Sequence, residues 1–329
     1  MSDTFSAFRI HATEKPYRAG VEQIRRDDLS AGEVTIKVAY SSVNYKDALA
    51  GTGTGKILRE PTLVGGIDVA GYVAESTDPN FKEGDEVLCT GCGLSETRDG
   101  GYAQYARLES RWTIPLPSGL TLREAMVIGT AGFTAALALY RMLQNEQRPH
   151  MGPIVVTGAS GGVGSLALDI LTRAGFEAHA ISGKPEHFDD LIALGAAQCI
   201  SRHDLHWGQR PLETARWAGA IDNVGGDMLA GLTRVIHPFG NIASCGLAGS
   251  HTLATTVMPF ILRGVSLLGI SSVETARRIR DEVWEHLATD WKPAHLARIA
   301  TREVGLDGLA PVFDTLLAGG AFGRTVVKI

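Results

Sequence analysis

Along the first ~120 residues, apolar and polar positions alternate with the period of two that marks half-buried β-strands. The alternation is clearest over residues 34–40, and further short strands are predicted over residues 67–74, 86–90 and 102–108. Glycine, proline, aspartate and asparagine fill the intervals, as turns require. Evenly spaced short strands of this kind predict a barrel or a sandwich.

The pattern changes after Leu120. Thr121 and Glu124 have the spacing of a capping box at a helix start. From there to about residue 272, short apolar runs alternate with segments of helical period. The predicted strands are residues 154–157, 177–181, 197–200, 218–223 and 240–245, and the predicted helices are residues 163–174, 185–194 and 227–236. This alternation predicts a parallel sheet with helices on both faces.

Near the carboxyl terminus, a helix is predicted over residues 274–288 and a strand over residues 325–329. A terminal strand that returns to an earlier sheet would close the first domain from its far end. The longest apolar stretch, residues 125–140, is interrupted by Gly129, Thr130, Gly132 and Thr134. It is shorter than the ~20 residues that a membrane span needs, so we interpret it as a buried helix with its lead-in loop.

Composition limits the classes of function. The 329 residues are 44% hydrophobic and 20% charged, with a net charge of -5. This profile fits two globular domains and gives no basic footprint for nucleic acid. The first residues contain no apolar secretory core, and we expect no membrane partner.

Four cysteines do not form a disulfide framework, and reduced thiols fit a cytoplasmic protein. Cys89 and Cys92 form a C-x-x-C pair, but no second pair stands at the spacing of a structural zinc site. Gly91 and Gly93 favour a loop after a strand. We interpret the pair as ordinary thiols near a turn, while a redox-sensitive pair or an adventitious metal site stays open.

A glycine-rich segment follows the apolar run at residues 154–157 and precedes a predicted helix. In this context Gly158 supplies the tight turn, Gly161 and Gly162 let the backbone approach a pyrophosphate, and Gly164 lets the helix pack on the strand. The helix N-terminus offers free N–H groups and a positive dipole to phosphates. The segment therefore predicts a dinucleotide site, against the alternative of a plain βα turn.

The end of the second strand of this region indicates the cofactor. NAD sites carry an acid there, whereas this chain has Ser182, Gly183 and Lys184. Ser182, Lys184 and Arg202 are suited to a 2′-phosphate, which predicts NADPH; a solvated turn lysine is the alternative for Lys184. The glycine pattern also matches short-chain dehydrogenases, but their catalytic tyrosine is missing, since no tyrosine follows Tyr140.

Four further segments, residues 41–47, 66–71, 100–105 and 129–135, carry a resemblance. With them the chain resembles the medium-chain dehydrogenase/reductase superfamily. The resemblance implies an α/β fold in which a Rossmann doubly wound parallel sheet, residues 124–272, is inserted in a GroES-like β-rich catalytic domain, residues 1–123 and 273–329.

Zinc-dependent members of this superfamily have a cysteine where Asn44 stands and a His–Glu pair where Ile67 and Asp68 stand. Asn44 and Ile67 cannot supply a thiolate and an imidazole, so we expect no metal. Chemistry without a Lewis acid disfavours alcohol oxidation. It favours reduction of an activated C=C bond, whose conjugated carbonyl takes up charge.

Residues 44–49, 157–165, 217–222, 245–249 and 256–263 closely resemble the acrylyl-CoA reductase group. This resemblance implies reduction of acryloyl-CoA, an acyl-CoA thioester, to propanoyl-CoA by NADPH. An NADPH:quinone oxidoreductase and a non-catalytic NADPH-binding protein are the alternatives.

The resemblance also implies roles for single residues. Tyr45 is expected to bind cofactor or substrate and to donate a hydrogen bond or proton, unless it only packs beside the pocket. Asn44 is expected to contact the ribose or the carbonyl, or else to cap a turn, and Asp68 to be a structural acid rather than a base. The expected cofactor contacts, besides Tyr45, are Thr134, Ser160, Gly161, Gly162, Val163, Ser182, Gly183, Lys184, Arg202, Asn223, Leu247, Ile261, Ser272 and Gly319.

Arg263 and Arg324 are expected to meet CoA phosphates, with a surface or interface position as the alternative. The apolar, β-prone segment at residues 251–269 is expected to contain an edge strand that pairs across a twofold axis. Covering an exposed sheet edge in this way predicts a homodimer.

Overall fold

The computed structural model describes residues 4–13 and 17–329. The chain forms two compact units. The first consists of Met1–Thr130, Val273–Ala288 and Leu296–Ile329, and the second of Ala131–Ser272 and Thr289–His295.

In chain order the strands are β1 Thr4–His11, β2 Arg18–Arg25, β3 Val34–Val43, β4 Thr62–Val64, β5 Asp68–Ser76, β6 Glu86–Thr90, β7 Tyr105–Leu108, β8 Ile114–Pro115, β9 Ile154–Thr157, β10 Ala178–Ser182, β11 Ala196–Ser201, β12 Trp217–Asp222, β13 Ile236–Ser244, β14 Ser266–Gly269, β15 Ala300–Val304 and β16 Arg324–Lys328. The helices are α1 Tyr45–Thr52, α2 Leu122–Gln144, α3 Gly162–Arg173, α4 Phe188–Ala193, α5 Gly226–Val235, α6 Met258–Arg263, α7 Arg277–Ala288, α8 Leu296–Ile299 and α9 Leu309–Leu317.

The first unit contains a seven-stranded sheet with the path β15-β16-β3-β5-β6-β8, in which β7 also pairs with β3. Strand β16 runs antiparallel to β3, with Thr325 opposite Val43. The prediction that the carboxyl-terminal strand closes the first sheet is therefore confirmed. Strand β3 is longer than predicted and mostly buried along its length, because it pairs with β5, β7 and β16.

A second sheet of this unit, with the order β2-β1-β4, lacked a sequence signal. It packs with α1 and α9 around one hydrophobic core. In that core the ring of Phe8 meets the ring of Phe313 edge-on at 5.8 Å. Helix α9 was also missed, because Pro311 interrupts the helical pattern; the proline stands in the first turn, where its missing N–H costs nothing.

The second unit has a six-stranded sheet with the order β11-β10-β9-β12-β13-β14, and all of its strand pairs are parallel. The predicted α/β fold class, with a parallel sheet of Rossmann type in the second unit, is thus confirmed. The predicted helix at residues 185–194 is divided into a 3-10 turn, Pro185–His187, and α4. The β-prone segment at residues 251–269 contains helix α6 as well as the edge strand β14.

Helix α2 passes from one unit to the other and kinks at Gly129, whose φ of 51° and ψ of -160° are not helical. The unit boundary therefore falls after Thr130, seven residues later than the sequence indicated. Among the described residues, α2 is long and apolar enough to cross a membrane by length and composition alone. Its most apolar window is 78% buried inside the protein, as in the core helix of a globular domain.

Residues 289–295 were assigned to the first domain by sequence, but they belong to the second unit. The buried carboxylate of Asp169 on α3 holds them there. It accepts hydrogen bonds from the backbone N–H of Ala294 at 3.1 Å and of His295 at 2.8 Å. A carboxylate in the middle of an apolar helix gives no sequence indication of such a distant partner.

Candidate active site

The glycine-rich turn between β9 and α3 has the geometry of a phosphate-binding loop. Gly158 has a φ of 59°, which favours glycine, and Gly161 is the N-cap of α3. A Cβ on Gly164 would lie 2.6 Å from Cα of Ala159, so any side chain there would separate the helix from the strand. A Cβ on Gly161 would instead meet one protein atom within 4 Å, the carbonyl oxygen of Gly158 at a close 3.3 Å. Its lack of a side chain therefore leaves room for a ligand at the helix N-terminus, beside Gly162 and Val163.

The base of this turn is fixed by hydrogen bonds between β9 and β12. Thr157 donates through Oγ1 to Oδ1 of Asp222 at 2.6 Å. Asn223 donates its backbone N–H to Oγ1 of Thr157 at 3.0 Å and its Nδ2 to the Thr157 carbonyl at 2.7 Å. Burial raises the pKa of Asp222, and hydrogen bonds from Thr157 and backbone amides oppose that rise. The predicted cofactor residue Asn223 thus uses its amide donor to hold the strand ends together.

The structure brings together the residues predicted to bind a 2′-phosphate. Ser182 at the end of β10 donates to Oγ of Ser160 at 3.0 Å and accepts the backbone N–H of Lys184 at 3.1 Å. The guanidinium of Arg202 lies against Gly183, where a Cβ would come within 2.7 Å of its Cζ. Burial lowers the pKa of the Lys184 ammonium, although Glu186 opposes the shift. Two cations and two hydroxyls, without an acid at the strand end, fit a phosphate rather than a ribose hydroxyl.

The other predicted cofactor residues of the second unit lie in different surroundings. Thr134 is buried on α2, whereas Ser272 is half-buried after β14. Leu247 follows β13 and Ile261 lies on α6, with 63% and 72% of their surfaces exposed. Side chains of this size need a ligand or a partner to be covered, so their contact with the cofactor stays a prediction.

In the first unit, Asn44 is the N-cap of α1, and its side chain is committed to protein groups. Its Nδ2 donates to Oδ2 of Asp68 at 2.8 Å and to Oδ2 of Asp47 at 3.1 Å. Its Oδ1 accepts Nη1 of Arg324 at 3.0 Å. The expected direct catalytic role of Asn44 is therefore corrected. The capping alternative is the one observed, and Asn44 acts as a positioning residue.

Asp68 lies at the centre of this buried network. Its Oδ2 accepts Oγ of Ser42 at 2.5 Å, and its Oδ1 accepts Oγ1 and the backbone N–H of Thr130 at 2.6 and 3.0 Å. The side chain has no exposed surface. These contacts join β3 and β5 to the kink in α2, and they agree with a structural acid rather than a base.

Asp47 belongs to the same network, and sequence reasoning missed it. It accepts the backbone N–H of Asn44 at 2.8 Å and that of Ile67 at 2.9 Å. Burial, followed by the nearby charge of Asp68, raises the pKa of Asp47 to about 7, and the hydrogen bonds from Asn44 and Ile67 oppose the rise. The available signal was its position three residues after Asn44, which is the spacing of a capping box.

Tyr45, the other predicted catalytic residue, is the first residue of α1, and 44% of its surface is exposed. The hydrogen bonds of Asn44 and Asp47 fix the start of the helix and hence the backbone position of Tyr45. Gly319, predicted to contact the cofactor, follows α9 with a φ of 74° and belongs to the first unit.

Both arginines that were expected to meet CoA phosphates are bonded to protein groups instead. Arg324 is 3% exposed, and it donates to the carbonyls of Val127 at 3.1 Å and Val43 at 2.8 Å, besides Oγ of Ser42 at 2.6 Å. Its expected substrate contact is therefore wrong, because a solvated ligand cannot reach it.

Arg263 is the last residue of helix α6, and its guanidinium also donates hydrogen bonds to backbone carbonyls. Nη1 donates to the carbonyls of Arg234 at 2.9 Å and Ile236 at 3.3 Å, and Nη2 donates to the carbonyl of Glu213. These bonds satisfy carbonyls at the end of α5 and in the segment before β12, and they correct the assignment of Arg263 to CoA phosphates.

The C-x-x-C pair lies at the end of β6 and in the turn that follows, as expected for a loop after a strand. Cys89 and Cys92 are both buried, and Cys92 has a φ of 51°. The hydrogen bond between the two thiols, followed by burial, raises the pKa of Cys89, whereas the same bond lowers the pKa of Cys92. Within residues 4–13 and 17–329, no cluster of three or more histidine, cysteine or acidic side chains is arranged to hold a metal ion.

Two protein-family models match the chain. The alcohol dehydrogenase GroES-like domain matches residues 30–118, and the zinc-binding dehydrogenase model matches residues 162–289. The second range does not include Asn44, Ile67 or Asp68, which stand where zinc-dependent members of the superfamily have their ligands.

Three relatives are similar over nearly the whole chain. The acrylyl-CoA reductase AcuI of Ruegeria pomeroyi is 44% identical over 95% of this chain and 94% of its own. The putative quinone oxidoreductase YhfP of Bacillus subtilis is 45% identical over 100% of both chains, and its crystal structure with NAD bound gives a TM-score of 0.95 over 100% of both chains. The YhdH oxidoreductase of Salmonella enterica, crystallised with NADP, gives a TM-score of 0.94 at 45% identity over 98% of this chain and 99% of that one.

Proposed function

The chain belongs to the medium-chain dehydrogenase/reductase superfamily, within its quinone oxidoreductase-like acrylyl-CoA reductase group, and from this premise we propose that it reduces the C=C bond of acryloyl-CoA with NADPH to give propanoyl-CoA. The observation that carries the proposal is the match to acrylyl-CoA reductase AcuI, at 44% identity over 95% of the chain. The cofactor loop adds an independent argument for NADPH.

The residues of the second unit fit the dinucleotide. When bound, NADPH supplies the hydride for the β-carbon of the thioester. The amides at the start of α3 hold the pyrophosphate through hydrogen bonds and the helix dipole. Ser182, Lys184 and Arg202 hold the 2′-phosphate by charge-assisted hydrogen bonds, and Ser160 supports Ser182.

The first unit supplies the groups that act on the thioester. Addition of a hydride to the β-carbon places negative charge on the thioester oxygen, and the α-carbon then needs a proton. The hydroxyl of Tyr45 donates a hydrogen bond or a proton to this side of the substrate. The buried bonds among Asn44, Asp47, Asp68 and Arg324 keep Tyr45 in place.

The residue types in the first unit also decide which carbonyl chemistry is open to the enzyme. Asn44 and Ile67 offer no thiolate and no imidazole to a zinc ion, and Asp68 is fully occupied by hydrogen bonds. An alkoxide therefore has no Lewis acid to stabilise it. An α,β-unsaturated thioester needs none, because conjugation delocalises the charge onto its own oxygen.

A quinone reductase is the second candidate, because the chain is 45% identical to the putative quinone oxidoreductase YhfP. The two functions share cofactor and fold and differ in the oxidant.

Oxidation of NADPH is followed at 340 nm with acryloyl-CoA, crotonyl-CoA and 1,4-benzoquinone in parallel. A kcat/KM for acryloyl-CoA far above that for the quinone supports the proposal, and the reverse order supports the alternative. Binding of NADPH without turnover of any acceptor would indicate a non-catalytic protein.

The assembly we propose is a homodimer formed along β14, the edge strand of the six-stranded sheet. The adjoining segment presents an apolar surface: Val257, Ile261 and Leu262 are each more than 60% exposed, and Leu267 lies on β14 itself. Pairing of this edge with a second copy of the chain would cover both the free strand and the apolar side chains. We further propose that the enzyme acts in the cytoplasm, where its thiols stay reduced.

A further inference from the structure

The first unit contains a cleft of about 430 Å³ beside helix α1, and the proposed mechanism does not use it. Three cations and a single carboxylate line the cleft together with two apolar side chains. The lining residues are Lys46, Lys56, Ile57, Leu58, Arg59 and Glu96. At neutral pH the charged groups sum to an excess of positive charge in a protein whose net charge is -5.

The carboxylate of Glu96 is shared between two of the cations. Its Oε2 forms an ion pair with Nζ of Lys46, and its Oε1 lies 3.0 Å from Nη2 of Arg59. Burial alone would raise the pKa of Glu96, but Lys46 and Arg59 together lower it, so the group stays ionised. Arg59 keeps 71% of its side chain exposed, and Lys56 is exposed as well. Both therefore have donors that remain available to a ligand.

The wall of the cleft is held in place before any ligand arrives. The backbone N–H of Arg59 donates to the carbonyl of Glu96 at 2.8 Å, and that of Ile57 donates to the carbonyl of Gly55 at 2.9 Å. Leu58 is buried in the core of the first unit, which anchors the segment between its two exposed cations. A preformed site of this kind loses little entropy when it binds.

We propose that this cleft binds the phosphate groups of coenzyme A in the acyl-CoA substrate, an inference that rests on the proposed function and deepens it. Phosphate esters are recognised by arginine forks and lysine ammonium groups. The half-buried Ile57 adds apolar surface for the uncharged parts of the ligand. Lys46 directly follows Tyr45 on α1, so one helix carries the group assigned to the thioester and the first cation of the cleft. The 2′-phosphate of NADPH has its own cations, Lys184 and Arg202, in the other unit.

The decisive variants are Lys56→Ala and Arg59→Ala, tested on two substrates that share the reacting group. Acryloyl-CoA carries the phosphates, whereas the acryloyl thioester of N-acetylcysteamine lacks them. Each variant is expected to raise KM for acryloyl-CoA about tenfold, the loss typical of one charged hydrogen bond, with kcat unchanged. KM for the small thioester and for NADPH should stay within twofold of the wild type. Lys82→Ala removes an exposed lysine of the same unit outside the cleft and should change none of these constants.

A binding measurement separates this inference from the reaction itself. Adenosine 3′,5′-bisphosphate is titrated calorimetrically into the full-length protein with saturating NADPH, which keeps the probe out of the cofactor site. One site per chain in the wild type, weakened at least tenfold in Lys56→Ala and Arg59→Ala, supports the inference even if no acryloyl thioester turns over. Absence of binding, or equal binding by the variants, overturns it even if acryloyl-CoA is a good substrate.

Discussion

Arg324 of the last strand lies with its Nη2 3.7 Å from Oδ2 of Asp68 at the start of β5. Both side chains are buried, and the pair joins the carboxyl terminus of the chain to strands formed in its first quarter. Asn44 and Ser42 bond to both partners. The charge of Arg324 therefore serves to neutralise a buried acid, and the position of the proposed catalytic helix α1 depends on it.

Replacing Arg324 with alanine should lower the free energy of unfolding by about 3–5 kcal/mol, because the change leaves Asp68 buried without its counter-charge. Urea denaturation followed by circular dichroism measures the loss. Arg324→Lys keeps the charge but not the donor geometry. Its free energy of unfolding should therefore lie between those of the wild type and Arg324→Ala. If Arg324→Ala had wild-type stability and a raised KM for acryloyl-CoA, the result would contradict the structural role and support contact of Arg324 with the substrate.

The buried Asp47 should make stability depend on pH. Because its pKa is raised from 3.8 to about 7 on folding, the folded chain holds the proton more tightly than the unfolded chain. Its contribution to stability is complete below the unfolded pKa and is lost as the pH rises through the folded pKa. Between these values the free energy of unfolding should fall by on the order of 1 kcal/mol per pH unit.

Asp47→Asn is the matched variant for this measurement, since the amide has the same shape and does not titrate. Measured by urea denaturation from pH 4.5 to 8, the free energy of unfolding of the wild type should fall relative to that of the variant as the pH rises. Parallel curves for the two proteins would show that Asp47 does not change its protonation over this range.

Lys184→Ala should weaken the binding of NADPH selectively, because we propose that the ammonium contacts only the 2′-phosphate. Loss of a charge-assisted bond predicts a rise in KM for NADPH of about tenfold or more, with KM for NADH nearly unchanged. Initial rates with each cofactor at saturating acryloyl-CoA measure the split, and Arg202→Ala should behave in the same way. If KM for NADPH and KM for NADH rise equally, Lys184 does not bind the 2′-phosphate.

Tyr45→Phe should reduce kcat for acryloyl-CoA by roughly 10²-fold, the effect of losing one donor at a developing negative charge. Tyr72→Phe is the control, because Tyr72 is a tyrosine of the same unit with a similar exposure of 43%. Steady-state and single-turnover rates separate chemistry from product release. An unchanged kcat in Tyr45→Phe would assign the tyrosine to packing and leave the proton donor elsewhere.

Ile261→Asp should dissociate the proposed dimer, because it places a charge in the apolar surface around α6. Sedimentation velocity at micromolar concentration is expected to give a dimer for the wild type and a monomer for this variant. Ile192→Asp changes an isoleucine on α4 that is 54% exposed, and it should leave the assembly intact. A monomeric wild type would exclude pairing along β14.

The dinucleotide site was predicted from sequence because its determinants are local. The turn after β9, the cap of α3 and the end of β10 each depend on residues within a few positions of one another, so their identity carries the geometry. Gly164 is the clearest case, since the crowding that requires glycine comes from the adjacent Ala159. Arg202 lies beside Gly183 for a related reason: β11 pairs with β10 in parallel, which brings the end of β11 next to Ser182.

The network around Asp68 was outside the reach of sequence reasoning. Ser42, Asp47, Thr130 and Arg324 gave no common signal, because their bonds cross from β3 to α2 and from one end of the chain to the other. An arginine near the carboxyl terminus has the same sequence features whether it faces solvent or a buried acid. Only the packing around each guanidinium shows that Arg263 and Arg324 bond to protein groups.

By itself, the sequence determined the alternation of strands and helices in the second unit, its parallel sheet and the phosphate-binding turn, because hydrophobic period and local turn chemistry act between near neighbours. The family was indicated by the resemblance of several short segments. Tertiary structure alone decided that Asn44 is a cap, that Arg324 neutralises Asp68, and that Lys46, Lys56 and Arg59 share one cleft with Glu96. Those outcomes depend on burial and on electrostatic pairing between residues far apart in the chain, which exist only once the chain has folded.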